Sequence, residues 1–206
     1  MPNAVPDLLR GAWKRVSIVN DDGTSDTDSL VVWLQLDSSM VDVRIPVDSD
    51  DPFTCEASTG YTTCTSIETG CDGIRRATAE WHTRGPDDIA IHPISAFPEP
   101  GLLEWNEDGS VMIERAPSGA YVEEWHRLPG STERLIEHRT DVGHRVYVAG
   151  DLAVVVNDDR SETTSPFDVE FAICEPVRNE SAWRIVASTL PGRIGENVHV
   201  LSLIHI

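Results

Sequence analysis

The sequence predicts an all-β protein that forms a single antiparallel β-barrel of about eight to ten strands, with one or two short helical turns. Strand-like segments recur at a spacing of about ten residues, and glycine-, proline- or aspartate-rich turns separate them. No segment keeps the 3.6-residue hydrophobic period over the length of a helix. A chain of 206 residues suits one all-β domain, which we expect to span residues 1–200.

The first clear hairpin joins residues 30–36 to residues 40–46 through an Asp-Ser-Ser turn. Alternate side chains of a strand point to opposite faces, so the valines and the isoleucine of the second arm share one face. Asp42 and Arg44 share the other face. Pro46 is expected to end the pairing because proline has no amide hydrogen to donate.

The rest of the chain repeats this strand-and-turn pattern. Residues 47–73 are predicted to be mostly loop, with one short strand near residues 53–57, and helical turns are expected at Pro6–Arg10 and near Ile67. Further strands are predicted at residues 76–84, 89–94, 102–105, 110–115, 120–128, 132–140, 143–149, 152–156, 167–175 and 182–190.

The charge of the chain excludes several classes of partner. The formal net charge is −19, and Lys14 is the only lysine. Such an acidic surface disfavours binding to nucleic acids and to anionic membranes. The N-terminus has no signal-peptide pattern, and the longest apolar run, residues 152–156, is too short for a membrane helix. These features predict a soluble, cytoplasmic protein.

The four cysteines do not have the spacing of a zinc site. They stand at positions 55, 64, 71 and 174, without a Cys-x-x-Cys pair. In a cytoplasmic protein cysteines stay reduced, so the sequence predicts free thiols, no bound metal and no cofactor.

The segment Gly11-Ala12-Trp13-Lys14-Arg15, at the start of the first strand, resembles the opening of a calycin barrel of the lipocalin or fatty-acid-binding type. In that superfamily the glycine allows a close backbone approach where the barrel closes. The tryptophan plugs the closed end, and an arginine from a late strand often packs across it. The resemblance therefore implies a closed barrel with Trp13 at one end.

Further segments of the chain are similar to a calycin-like group in their pattern and order, over about residues 8–190. They are the hairpin described above, the segment 123–129 and the segment 145–150. The nearest named relative is the fungal calycin-like family known for interacting with a casein-type kinase. That resemblance implies a fold but no catalytic residues. The chain lacks the later Thr-Asp-Tyr-type motif of true lipocalins, which argues against a secreted carrier of lipophilic molecules.

Two identical tripeptides are candidates for catalysis. Glu80 and His82 flank one tryptophan, and Glu124 and His126 flank another. Residues i and i+2 of a strand share a face, so each carboxylate lies beside its imidazole. If the two strands are neighbours with these faces inward, the four groups could bind a divalent metal or act as an acid/base pair. Alternatively, both tryptophans face the core, and the glutamates and histidines lie in water.

The charged face of the first hairpin is a candidate for ligand binding. Asp42 and Arg44 lie opposite Trp33 and Gln35 on the paired arm. An inward arginine, balanced by an aspartate and next to an aromatic ring, can hold a carboxylate or another planar anion. The alternative is a surface ion pair on the outer wall, which contributes about 0–1 kcal/mol.

Three functional hypotheses follow from these patterns. The preferred hypothesis is a barrel that binds a small, partly apolar, anionic molecule in its lumen. Arg44 would grip the ligand, and tryptophans such as Trp81 and Trp125 would form the walls. The second is an enzyme that uses the Glu-x-His pairs, and the third is a protein-interaction module without a ligand. The sequence identifies neither a catalytic residue with certainty nor an oligomeric state.

The last six residues, 201–206, are predicted to be foreign to the protein. Their codons can be read in frame as the end of a transposon-type sequencing adapter, as expected for an environmental read that stops near Val200. On this reading His205 is not a metal ligand. The alternative is a genuine apolar strand, residues 197–206, that closes the barrel.

Overall fold

The protein is all-β, and its first two thirds form a closed antiparallel barrel of eight long strands. The computed structural model describes residues 5–47, 52–83, 88–91, 99–139, 144–158, 168–178, 180 and 182–200. The barrel strands are β1 (Gly11–Asn20), β3 (Leu30–Gln35), β4 (Met40–Ile45), β5 (Glu56–Cys64), β7 (Arg75–His82), β9 (Gly101–Trp105), β10 (Val111–Arg115) and β11 (Tyr121–Arg127).

The barrel has an up-and-down order in which each long strand pairs with the next one along the chain. The last of them, β11, returns to pair with β1 and closes the ring. Three short strands extend its rims: β2 (Ser25–Asp26), β6 (Glu68–Thr69) and β8 (Ala90–Ile91). A 3-10 turn, Pro52–Thr54, precedes β5.

A second, six-stranded sheet follows the barrel. Its strands pair in chain order, so this sheet is a simple antiparallel meander. They are β12 (Leu135–Arg139), β13 (His144–Ala149), β14 (Leu152–Asp158), β15 (Val169–Pro176), β16 (Trp183–Ser188) and β17 (Asn197–Val198).

The second sheet covers the outer wall of the barrel at β3 and β4. Strand alternation places Val41 and Val43 on that outer wall, and both are fully buried. They belong to one apolar cluster with residues of the second sheet such as Val154 and Phe171. Because both surfaces are apolar, their contact forms a dry core, and the opposite faces of β3 and β4 line the barrel lumen.

Trp13 plugs one end of the barrel. Its indole Nε1 donates a hydrogen bond to the carbonyl of Leu9 at 2.8 Å, and the guanidinium of Arg127, from the last barrel strand, lies 4.6 Å from the ring centroid. Gly11 has a φ of +119°, and a Cβ there would lie 2.8 Å from the Oγ of Ser131. A larger residue would therefore be strained, which explains a glycine where the barrel closes.

The fold agrees with the sequence prediction in its class and in its closed antiparallel barrel. The turn at Pro6–Arg10 is present, with a hydrogen bond from the Leu9 amide to the Pro6 carbonyl. Near Ile67 the chain forms β6 rather than a helix. The separation of the last strands into a second sheet is a feature that the spacing of strands did not reveal. The pairing of β1 with β11 closes the barrel. Residues 201–206, for which the sequence predicted a foreign segment, lie outside the described residues.

Candidate functional site

The lumen of the barrel contains a buried ion pair between Asp42 and Arg44. The two residues project from the inner face of β4, and Arg44 Nε donates to Asp42 Oδ1 at 2.7 Å. Only 6% of the Asp42 side chain and 20% of the Arg44 side chain are exposed. Burial opposes the charge on Arg44, but the carboxylates of Asp42 and Glu123 more than offset this and raise the pKa of the guanidinium. The Arg44 guanidinium therefore stays charged inside the barrel.

Three tryptophans form a cluster in the lumen, and one of them adjoins this ion pair. Trp33 lies directly opposite Asp42 in the β3–β4 pairing. Its ring makes edge-to-face contacts with Trp81 and Trp125, with centroid distances of 5.8 Å and 6.0 Å. Such contacts fix the ring orientations, so the lumen has rigid aromatic walls.

Several buried hydrogen-bond donors in the lumen have no partner among the described residues. They are the indole Nε1 atoms of Trp33, Trp105 and Trp125, and the hydroxyl of Ser58. Each of these residues is at most 2% exposed. Buried polar groups in proteins are nearly always hydrogen-bonded, and an unpaired one costs about 1–3 kcal/mol. These four donors therefore identify the lumen as a place that suits a molecule with acceptor atoms.

A second buried charged group lies on β1, β10 and β11. Arg15 Nη1 donates to Glu123 Oε1 at 2.9 Å, and Arg15 Nη2 donates to Asp26 Oδ2 at 2.7 Å. Glu114 is the direct cross-strand neighbour of Glu123. It accepts a hydrogen bond from the Tyr121 hydroxyl at 3.0 Å. Two buried carboxyl groups thus lie side by side in the lumen.

The two carboxyl groups have different partners. Glu123 has a short ion pair, whereas burial and the neighbouring Glu123 raise the pKa of Glu114 to about 8. Burial and the Glu114 carboxylate also raise the pKa of the Tyr121 phenol. At neutral pH Glu114 is therefore a neutral acid that can itself donate a hydrogen bond.

Gly101 on β9 faces this neutral acid. A Cβ at this position would lie 2.5 Å from a ring carbon of Trp81 and 3.0 Å from Glu114 Oε1. Any side chain here would displace the tryptophan or the carboxyl group, so the glycine allows both to share this part of the lumen.

Gln35, a predicted ligand residue, is fully buried but makes its hydrogen bonds within the protein. Its Nε2 donates to the carbonyls of Leu36 and Ser39, at 3.0 Å and 3.1 Å, and its Oε1 accepts from the Thr62 hydroxyl at 2.6 Å. Its amide holds the β3–β4 turn against β5.

The two Glu-x-His pairs lie on the outer wall of the barrel and are not brought together. His126 contacts Glu124 at 2.7 Å, and both side chains are more than 40% exposed. His82 lies 4.0 Å from Glu80 and stacks on Tyr61. Strands β9 and β10 separate β7 from β11, so no four-group cluster forms. Trp81 and Trp125 point inward, as in the alternative stated above.

The sequence analysis did not single out Arg15, Ser58, Glu114, Tyr121 or Glu123 as site residues. The sequence does contain one sign of a polar lumen. The face of residues 121–127 that carries the tryptophan also carries charged side chains. Such a mixed face is typical of a barrel with a polar lumen.

The described part of the chain contains no group of three or more His, Cys, Asp or Glu side chains arranged to hold a metal ion. None of the four cysteines forms a disulfide, and burial raises the pKa of the Cys64 thiol to about 11. Within the described ranges, no helix is long and apolar enough to cross a membrane.

The fold and this interior define a closed β-barrel with a polar, tryptophan-lined lumen. Comparisons of the chain with protein-family models, with curated proteins and with solved structures gave no match. The function is therefore inferred from the geometry of the lumen.

Proposed function

We propose that the protein binds a small, partly apolar, anionic molecule in the lumen of its barrel. The observation that carries this proposal is the group of buried, unpaired donors from Trp33, Trp125 and Ser58 next to the Asp42–Arg44 ion pair. Acceptor atoms of a ligand would satisfy these donors.

The cost of the unpaired donors supports a binding role over a structural one. Each unpaired buried N–H or O–H costs about 1–3 kcal/mol, and phenylalanine or alanine at these positions would avoid that cost. A ligand oxygen that accepts from two of the donors would recover this energy on binding. The donors therefore favour ligands with a carboxylate, sulfonate or carbonyl group.

The aromatic walls favour a ligand with a flat, apolar body. Trp33 is held edge-to-face between Trp81 and Trp125, so these rings offer fixed planes and edges. Arg44 is paired with Asp42, so a charged guanidinium of fixed position lies on the same inner wall as these rings.

The other two hypotheses have less support. The outward Glu-x-His pairs are separated by two strands, which removes the geometric reason for joint acid/base catalysis. An interaction module without a ligand would not need unpaired donors in its interior. The plug formed by Trp13 and Arg127 is consistent with a calycin-like barrel, and we propose kinship with that superfamily on this arrangement. The cytoplasmic location stays a prediction.

Native mass spectrometry of the protein purified from its source lysate tests this proposal directly. We expect an adduct of defined mass that is lost on denaturation. The Trp33→Phe variant, which keeps a ring but removes the N–H group, should retain less of it. Trp183→Phe is the matched control, because Trp183 is equally buried but belongs to the second sheet.

The pattern across the variants decides the outcome. Reduced occupancy in Trp33→Phe alone would support lumen binding. Equal occupancy in both variants would place the ligand elsewhere and contradict the proposal. A wild-type protein that carries no adduct, and that binds no aromatic anion added to it, would contradict it as well.

A further inference from the structure

Glu114 differs from every other charged group of the lumen in its partners. Asp42 is paired with Arg44, and Glu123 with Arg15. Glu114 accepts a hydrogen bond from the neutral Tyr121 phenol, and its direct cross-strand neighbour is another carboxylate. The groups closest to Glu114 thus disfavour ionisation of its carboxyl group.

We propose that Glu114 makes ligand binding depend on a proton: the lumen binds its anionic ligand only while the Glu114 carboxyl group is neutral and donates a hydrogen bond to it. This inference rests on the proposed function and specifies how the same site recognises charge.

The balance of charge supports this linkage. With Glu114 neutral, the guanidinium of Arg15 faces the carboxylates of Glu123 and the more exposed Asp26, and that of Arg44 faces Asp42. The two guanidinium groups therefore carry no positive charge in excess of these carboxylates. A bound monoanion then adds one negative charge, and the neutral acid and the unpaired donors can solvate it. An ionised Glu114 would add a second negative charge and would remove one donor. Two uncompensated buried charges of the same sign are strongly unfavourable.

Among the residues that the structure describes, the other elements around Glu114 provide no net positive charge to compensate an ionised carboxylate. Strand β9 presents Gly101 and Leu103 to it, and β7 presents Trp81. Across the lumen, β4 contributes Asp42 and Arg44, whose charges cancel. On β11 the neighbours are Tyr121 and Glu123, and on β1 Arg15 is held by Glu123 and Asp26.

The sign of the linkage follows from these charges. Burial and Glu123 raise the pKa of Glu114 to about 8 in the structure without a ligand. An anion stabilises the neutral acid and raises this pKa further. Binding therefore takes up no proton well below about pH 8, and takes up one proton above it.

The experiment compares two probes of the same shape: naphthalenesulfonate, which stays ionised over the whole range, and the uncharged methyl naphthyl sulfone. Affinities are measured by quenching of tryptophan fluorescence between about pH 6 and pH 10. We expect the dissociation constant of the sulfonate to be constant up to about pH 8 and then to rise about tenfold per pH unit. The sulfone should show a smaller rise.

Two variants connect the effect to Glu114. Glu114→Gln keeps a neutral donor at this position, so it should bind the sulfonate with a constant affinity over the whole range. Glu104→Gln, on the outer face of β9 where Glu104 pairs with Arg76, should retain the wild-type pH profile. Calorimetry of the wild-type protein in two buffers with different ionisation enthalpies measures proton uptake directly, so the test does not depend on the folding of a variant.

The outcomes separate the two proposals. Failure of both probes to bind at every pH would contradict lumen binding itself. Binding of the sulfonate with the same affinity at all pH values, or without proton uptake above pH 8, would leave lumen binding intact and overturn the role of Glu114. An affinity for the sulfonate that increases with pH would overturn it too, since that sign is expected for a cationic ligand.

Discussion

Glu114 in the barrel lumen and Glu170 in the second sheet are both buried glutamates, yet their partners differ completely. Glu170 accepts hydrogen bonds from Asn157, Ser188 and Arg193, with distances of 2.8–3.2 Å. Burial alone would raise its pKa, but these partners lower it. Glu114 has the Tyr121 hydroxyl and a neighbouring carboxylate, and its pKa is raised.

This difference separates a structural site from a site that suits a ligand. The Glu170 group is satisfied within the protein, so a ligand there would have to displace existing hydrogen bonds. The lumen combines a neutral acid with unpaired donors from Trp33, Trp125 and Ser58. Unsatisfied buried groups are rare in folded proteins, so each one calls for a specific explanation. The comparison therefore supports the proposed binding role of the lumen and a stabilising role of the Glu170 cluster.

The largest expected effect comes from breaking the buried ion pair between Arg15 and Glu123. Arg15→Met should lower the free energy of unfolding by about 3–5 kcal/mol at neutral pH, because it leaves a buried carboxylate without its partner. Denaturant unfolding measures this change. The control is Arg76→Met, which also removes two ion pairs but on the outer wall, where 40% of the side chain is exposed. Comparable losses in the two variants would show that the lumen is as well solvated as the surface.

A smaller loss is expected from Glu170→Gln, which sharpens the contrast between the two glutamates. The substitution replaces charge-assisted hydrogen bonds by neutral ones. It also places the N–H₂ group of the glutamine against side chains that themselves donate hydrogen bonds. We expect the free energy of unfolding to fall by about 1.5–3 kcal/mol. The loss should disappear in acid, because Glu170 has a lowered pKa and contributes stability that is lost as the pH falls through that value. A loss that persists in acid would contradict the assignment of this cluster to stability.

Glu114 should produce the opposite pH dependence. Its pKa is raised from 4.5 to about 8 in the folded protein, so its contribution is fully present below about pH 4.5 and is lost as the pH rises toward 8. Glu114→Gln removes this loss and should make the protein more stable than wild type above pH 8, by more than about 1 kcal/mol. Unfolding curves at several pH values measure the difference, with Glu104→Gln as the control. If the free energy of unfolding of Glu114→Gln depends on pH as steeply as that of the wild-type protein, a different group titrates.

The sequence predicts the barrel well because its evidence is local. The Val41–Val43 and Asp42–Arg44 faces follow from strand alternation, and both lie where alternation requires, in the dry core and in the lumen. The position of Gly11 and Trp13 at the closed end was instead what the resemblance to a calycin barrel implied.

The rest depends on contacts between distant strands. That Glu114 faces Glu123 is set by the register of β10 with β11, which a single sequence does not reveal. The distance between the two Glu-x-His pairs is set by the order of strands around the barrel. Gln35 resembled a ligand residue because its partner Thr62 lies 27 positions away in the chain.

The smallest expected effect compares two tryptophans that differ in whether their N–H group has a partner. Trp13 donates to the Leu9 carbonyl at 2.8 Å, whereas the Trp33 N–H has no partner among the described residues. Replacing either residue by phenylalanine removes a similar ring volume. Trp13→Phe also breaks a hydrogen bond and should cost about 0.5–1.5 kcal/mol more than Trp33→Phe in the ligand-free protein.

A saturating aromatic anion should stabilise Trp13→Phe more than it stabilises Trp33→Phe. The ligand should stabilise the wild-type protein and Trp13→Phe by the same amount, because Trp13 lies at the plugged end. It should stabilise Trp33→Phe less, because the donor that it would engage is gone. Thermal unfolding with and without naphthalenesulfonate measures both differences. Equal stabilisation of all three proteins would mean that the Trp33 N–H group stays unpaired when the ligand is bound, and the buried donors would then lose their role in the argument for binding.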